Sequence, residues 1–427
     1  MAVAGTYSWA TVPLAAASAL LFIVSGARVA GSGRAIDLAI IAAIAVFAVQ
    51  LVPLPAPVVR AVSPAAVRLQ DLVALQPFNA WRPLSIHAAA TRESVLLAIT
   101  AALIFWSARA ILSRGGARLL CSFVAAIGFV VAVVALAQHA TAPTTIYWRW
   151  MPVDPGARPY GPFIDRNHLA TWLIMAISLS AGAVAVRLST SAPGVRALML
   201  EGLAGSTVLG LGALGMMLIA LVATLSRSGM VGLVAAAGCG AMLGARTMRR
   251  RSGLTAAAAL AILLLALAFW TNAQGLTARV ESTLATVSPV SRLMIWRDTL
   301  GIVRDFPWMG TGAGTFADVM IQYQRSATRI LFNHAHNEYL QLLAEGGIVG
   351  AGCVAFLVVL FARAARKAID EDRSTKRFIR IAAAAGLTGI AVQSVWDTGL
   401  RTPANLVLAA VLAALVLRDL QPLTRDQ

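Results

Sequence analysis

Apolar runs dominate the pattern of this chain, and polar stretches of varying length separate them. Runs near 10–27, 36–54, 94–112, 119–137 and 168–186 each reach about the 18 residues that cross a bilayer as a helix. A sixth ends at Leu225 and a seventh starts at Gly229, with only Ser226-Arg227-Ser228 between them. An eighth covers 254–271. A ninth follows the histidine-bearing stretch at 333–337 and ends at Arg363, and two more flank Trp396-Asp397-Thr398-Gly399-Leu400-Arg401-Thr402-Pro403. The runs lack the apolar–polar alternation of barrel strands, and helices are the other structure that satisfies backbone groups in lipid. The pattern predicts an all-α polytopic membrane protein of about eleven transmembrane helices, or twelve, as a single integral membrane domain over 1–427. The longest polar segment, 272–337, predicts a large loop within that domain.

Composition agrees with this reading: 59% of residues are hydrophobic, only 12% are charged, and mean hydropathy is +0.78. The net charge of +17 would suggest nucleic acid in a soluble chain. Here the basic residues are spread through loops between apolar runs without an RNA-binding motif, so no nucleic-acid partner is expected. Sorting the loops by alternation puts the larger share of the 35 Lys and Arg on one side, with both lysines, Lys367 and Lys376. By the positive-inside rule that side is cytoplasmic and the N-terminus is outside. The first run lacks a basic n-region and is expected to stay as a helix rather than be cleaved. Cys121, Cys239 and Cys353 fall inside apolar runs without metal-ligand spacing.

The opposite side carries all five histidines: His87, His139, His168, His334 and His336. Its basic residues are all arginine, which suits a planar grip on phosphate; a bias of codon usage towards Arg would produce the same imbalance. Arg227 sits between two apolar runs with almost no loop. An ionisable group there either faces a polar cavity or snorkels to the headgroups. In PYGPFIDRNHLA, Arg166 and His168 accompany Asp165 and Asn167 at a helix start, where either of the last two could be the cap. Arg292 and Trp296 lie four apart and share a helix face. The glycine-rich GTGAG at 310–314 could bring backbone N–H groups near phosphate, but no P-loop lysine follows, so a nucleotide is not expected.

The stretch NHAHNEYLQLLAEGGIVG, 333–350, concentrates the chemistry. Two imidazoles, Asn337 and Glu338 sit where the polar loop gives way to an apolar run. If the helix already ran from His334, one face would read His334, Glu338, Gln341, Glu345; extended, the two histidines would share a face. An H-x-H pair can hold a metal, but no third ligand has convincing spacing. A histidine acting as general base near neutral pH fits better.

Together NHAHNEYLQLLAEGGIVG, GPFIDRNHLATWL, the SRSG boundary, the R-x-x-x-W spacing and GTGAGTF resemble the O-antigen ligase/polymerase superfamily, from about Trp81 to the last helix pair. The HN-x-x-L-x-x-x-x-E-x-G block is the most specific part. The resemblance implies a GT-C-type glycosyltransferase of the bacterial inner membrane, with a large periplasmic loop over an active site facing the periplasm. It implies a polyprenyl-diphosphate-linked glycan as donor. The acceptor would be a sugar hydroxyl of lipid A core or, in a polymerase, of a second lipid-linked repeat. No metal and no cofactor are expected. By the same resemblance His336 is the catalytic base, and Arg227 and Arg292 bind the lipid diphosphate, with Arg166 a weaker addition. His334, Asn337 and Glu338 beside the base, and Asp397 and Arg401 on the same side, are supporting candidates by position. The competing classes are a flippase or transporter of lipid-linked sugars and a non-enzymatic scaffold. Repeats and midplane charges would mark a transporter, and the clustering of Arg and His on one side argues against a scaffold.

Overall fold

The computed structural model describes residues 2–5, 7–29, 34–73, 81–153, 157, 159–190, 206–244, 289–325 and 331–419. Among them run fourteen α-helices: α1 (Ser8–Ser25), α2 (Arg34–Val49), α3 (Ala56–Val62), α4 (Pro64–Val73), α5 (Ala88–Arg114), α6 (Ala117–Thr141), α7 (Arg166–Thr190), α8 (Ser206–Ala223), α9 (Arg227–Gly244), α10 (Pro289–Asp305), α11 (Phe316–Tyr323), α12 (Glu338–Glu371), α13 (Arg377–Gln393) and α14 (Pro403–Leu417). Ten of the expected apolar runs fall on these helices. The run at 254–271, the basic cluster Arg246, Arg249, Arg250 and Arg251, and the first part of the 272–337 loop lie outside the described residues. Five described helices, α5, α6, α7, α9 and α12, are long and apolar enough to cross a membrane; α1, α8 and α14 are apolar but shorter.

Helix α7 is the centre of the bundle. Leu169, Leu173, Ile174, Met175 and Leu179 on it are fully buried, as expected of a helix that is apolar all round. It is wrapped by α6, α8, α9, α13 and α14. Helices α9 and α13 approach closely where Gly232 meets Gly389: a Cβ on Gly232 would lie 2.8 Å from the Gly389 carbonyl oxygen. Small residues of this kind let helices in lipid gain contact by bringing their backbones close.

A second core lies outside this bundle. Two loops build it. The first, between α2 and α5, forms a two-residue antiparallel hairpin, β1 (Leu54–Pro55) on β2 (Trp81–Arg82), together with α3 and α4. The second supplies α10 and α11. Val59, Ala66, Val67 and Leu84 of the first pack on Ile295, Ile302, Phe306, Phe316 and Met320 of the second. The long polar loop is therefore one half of a two-loop cap.

The cap docks on a break in α12. Gly347 has φ +61° and ψ −168° inside the helix. The break frees carbonyls on one side and amides on the other. The Ala344 and Glu345 carbonyls accept from Thr311 and Gly312 N–H, both at 3.0 Å, while Ile348 and Val349 N–H donate to the Pro307 and Trp308 carbonyls at 2.8 and 3.1 Å. Buried Gln50, just past α2, closes the joint: its Nε2 donates to the Met309 and Glu345 carbonyls and its Oε1 accepts from Ala313 N–H. Every polar group at the joint named here has a partner, which a buried backbone break requires.

Candidate functional site

The cap and the bundle meet at the N-terminus of α12. Asn337 is the cap residue, its side-chain oxygen accepting from Leu340 N–H at 3.0 Å. The helix therefore begins at Glu338, and His334-Ala335-His336 precede it as a non-helical segment. Fully buried Ala335 is held from both sides. Trp296 Nε1 donates to its carbonyl at 3.0 Å, and its own N–H donates to Gln341 Oε1 at 3.0 Å. Gln341 Nε2 donates to Glu345 Oε1 at 3.1 Å and lies 3.4 Å from His334 Nδ1. Behind them Arg401 bridges two carboxylates, with Nη1 2.8 Å from Glu345 Oε2 and Nη2 3.0 Å from Glu338 Oε1. Its Nε also donates to Glu338 Oε2. Arg401 is thus engaged by protein carboxylates on all three nitrogens, an arrangement that fixes α12 against the turn before α14.

The histidines lie in a field that keeps them neutral. Burial, reinforced by Arg292 and His168 and opposed by Asp165, lowers the pKa of His336 from 6.5 to about 4. Burial and Arg401 lower that of His334 to about 3. At pH 7 both are free imidazoles able to accept a proton. Three of the buried polar atoms without a hydrogen-bond partner among the described residues belong to this group: His336 Nδ1, Arg292 Nε and, across His168, Asp397 Oδ1. Burial pushes Asp397 up to about 6, against the pull of His168 and, more weakly, Arg292. His168 Nε2 lies 4.0 Å from Asp397 Oδ1, and its Nδ1 is 2.8 Å from Thr402 Oγ1. Unpartnered buried polar atoms are rare, and a cluster of them marks a place made for a polar ligand.

Residues 212–355 match the family described as O-antigen ligase. These residues belong to the O-antigen ligase superfamily. No curated protein matches the chain. The match supports a function of the O-antigen ligase or polymerase type, and with the apolar helices it supports a multi-pass membrane protein. The matched segment runs from α8 into α12 and so contains Arg227, Arg292, His334 and His336. Arg166, His168, Asp397 and Arg401 lie beyond it, on α7 and around the turn before α14; the fold brings His168 and Arg401 to these histidines, and Asp397 against His168.

Arg292 stands beside His336, because its neighbour one turn on, Trp296, is bonded to the Ala335 carbonyl. Arg227 is the exposed first residue of α9. That start is fixed by Ser226 Oγ accepting from Gly229 N–H, and by Gly229 packing on Ala170, where a Cβ would come within 2.7 Å. Arg227 therefore shares the end of the bundle with Arg166 and His168. At the start of α7 the cap is Asp165, whose Oδ1 accepts from Asn167 N–H at 2.7 Å.

The GTGAG turn has another role than phosphate binding. Its Thr311, Gly312 and Ala313 amides are engaged by Ala344, Glu345 and Gln50, and a Cβ on Gly310 would lie 2.3 Å from Glu345 backbone. Sequence reasoning left His168 out of the site set and gave Gln341 and Trp296 no positioning role. The sequence signal for His168 was its place on the histidine-bearing side, at a helix start already capped by Asp165. His87, paired with Asp318 at 2.8 Å, and His139, stacked on Tyr160, lie apart from this centre. Among the described residues no group of three or more His, Cys, Asp or Glu converges as metal ligands would.

Proposed function

We propose that this protein transfers a glycan from a polyprenyl diphosphate to a sugar hydroxyl at the periplasmic face of the bacterial inner membrane, as an O-antigen ligase acting on lipid A core in lipopolysaccharide biosynthesis. The observation that carries the reading is the buried Nδ1 of His336, without a hydrogen-bond partner, beside the buried Nε of Arg292, also without one, within the segment that matches the O-antigen ligase family.

In this reading His336 takes the proton of the acceptor hydroxyl as the hydroxyl oxygen attacks the anomeric carbon of the donor. The bond from that carbon to the diphosphate oxygen breaks, and its electron pair leaves with the lipid diphosphate. Arg292 and Arg227, with Arg166 near the same end, neutralise the charge that builds there. Donor binding also changes the field at the base. A diphosphate beside Arg292 offsets the positive charge that disfavours protonation of His336, so the imidazolium that forms is stabilised when the donor is in place. Arg401, Glu338, Glu345 and Gln341 hold the base-bearing segment without touching substrate. His168 and Asp397 form the opposite wall.

The test is reconstitution in vesicles with a polyprenyl-diphosphate oligosaccharide and separate acceptors. Product on lipid A core alone supports the ligase. A ladder of repeat lengths made without lipid A would instead identify a polymerase. Movement of intact lipid-linked donor across the bilayer without transfer would identify a flippase and contradict the reading.

A further inference from the structure

Just past α6 the chain turns back on itself through two aromatic residues in a backbone form that suits neither. Tyr147 and Trp148 have φ +51° and +61°, in the left-handed region where bulky side chains are strained. Ile146 and Trp150 close the turn, exchanging N–H to carbonyl bonds at 2.7 and 2.9 Å. Fully buried Gln138 enforces it: its Oε1 accepts from Tyr147 N–H at 2.8 Å, and its Nε2 donates to the Thr145 carbonyl. Trp148 Nε1 donates to Thr141 Oγ1 at 2.6 Å. Strain over-determined in this way points to a function for the side chains it places.

What it places is an aromatic slab. Trp150 stacks on Tyr7, with ring centroids 5.7 Å apart and 14° between the planes, and on Trp9 at 6.2 Å and 19°. Three near-parallel rings from two distant segments thus form one surface, and Trp9 and Trp150 remain 51% and 42% exposed. The height of the slab follows from α6. That helix has 25 residues and is about 37 Å long, against a hydrocarbon core of about 30 Å. Its last turn, with Gln138 and Thr141, therefore reaches the headgroup layer. The lateral position follows from Gly5, two residues before Tyr7: a Cβ on Gly5 would lie 2.9 Å from Pro403. The residue before Pro403 is Thr402, which is bonded to His168. At about 3.5 Å per residue the edge of the slab is within roughly 20 Å of His168.

We infer that this slab binds a pyranose ring of the glycan on the lipid-linked donor. The C–H bonds on one face of a pyranose carry partial positive charge and the face of an aromatic ring is negative, so a rigid aromatic surface takes a sugar by its apolar face. The donor diphosphate sits at headgroup level, and the sugars beyond the reacting bond extend into the layer where the slab lies. A belt of interfacial aromatics needs exposed Trp and Tyr, but neither their mutual stacking nor a strained turn. A binding platform gains from both, because rings fixed beforehand lose little freedom when the ligand arrives. The choice of ligand rests on the glycan-transfer reading; the geometry of the slab does not.

The test measures binding by the full chain in nanodiscs of two ligands: the polyprenyl-diphosphate oligosaccharide extracted from the source membranes, and the bare polyprenyl diphosphate. Wild type should prefer the first. Trp150→Ala should bind the oligosaccharide lipid about 5-fold more weakly, the size of one aromatic contact, and the bare lipid as wild type does; Trp150→Phe should recover most of the difference. Trp9→Ala, at the exposed start of α1, carries the same expectation if Trp150→Ala does not fold. No preference in wild type, or an unchanged preference in the alanine variants, would overturn the site. An equal loss for both ligands would make the slab a membrane anchor and overturn it as well. Wild type that shows the preference, lost in the variants, yet transfers nothing to any acceptor would contradict the transfer reading and leave the platform standing. Transfer by wild type with the preference unchanged in the variants would do the reverse.

Discussion

His336 holds a left-handed backbone conformation, with φ +50°, that residues other than glycine rarely adopt. Such strain costs on the order of 1–3 kcal/mol and persists where the surroundings enforce it. Here they do so through Trp296 and Gln341 on Ala335 and through the Asn337 cap. The burial around His334 and His336 depresses both histidines, and this has a consequence for pH. His334 has a folded value near 3 against an ordinary 6.5, so below pH 6.5 the unfolded chain binds a proton that the folded chain refuses. Its stabilising contribution is present above 6.5 and is lost as the pH falls towards 3. His334→Gln should flatten the acid side of a plot of melting temperature against pH; an unchanged slope would contradict the assignment. Arg401→Gln leaves Glu345 and Glu338 without their cation and should cost about 3–5 kcal/mol in chemical denaturation. The HN pair and its flanking arginines were legible in the sequence because their spacing is local. The pairing of His168 with Asp397 was not, since 229 positions separate them and only the docking of α7 beside the turn before α14 brings them together.

At the scale of elements, the break in α12 organises the site. The Gly346-Gly347 pair was visible within the apolar run, but a helix pattern gives no reason to expect an interruption there. The reason lies in a partner 37 residues earlier: a Cβ on Gly347 would meet the Gly310 nitrogen at 2.6 Å and the Trp308 carbonyl oxygen at 2.3 Å. Gly347→Ala should therefore destabilise the protein by more than the roughly 1–2 kcal/mol of a left-handed alanine, because backbone must also move. Gly352→Ala, five residues on with open space around it, should be neutral or slightly stabilising. Thermal unfolding of the two variants checks this, and similar melting temperatures would refute the docking role of the break. The GTGAG turn illustrates the opposite case. Its glycines were plain in the sequence, and their purpose, close approach to α12, followed only from which amides they present and to what.

At the scale of the molecule, the protein has a bundle core around α7 and a separate cap core, and the site lies where they meet. Run lengths and polarity made the all-helical bundle legible. The cap was not, because its two halves, around 54–87 and 289–335, are far apart in sequence and neither has a complete apolar face alone. Phe306 is buried at the cap centre, and Phe306→Ala should cost about 3–5 kcal/mol of cap stability. Limited proteolysis should then cut within the cap before the bundle is affected; resistance equal to wild type would show that the cap core is not needed for its order. The central claim is that a neutral His336 between cap and bundle receives the acceptor proton. It is tested most directly by His336→Ala in the reconstituted system with polyprenyl-diphosphate oligosaccharide and lipid A core. The expected result is loss of glycan transfer with donor still bound and unconsumed, while the folded protein elutes as wild type; transfer at the wild-type rate would contradict it.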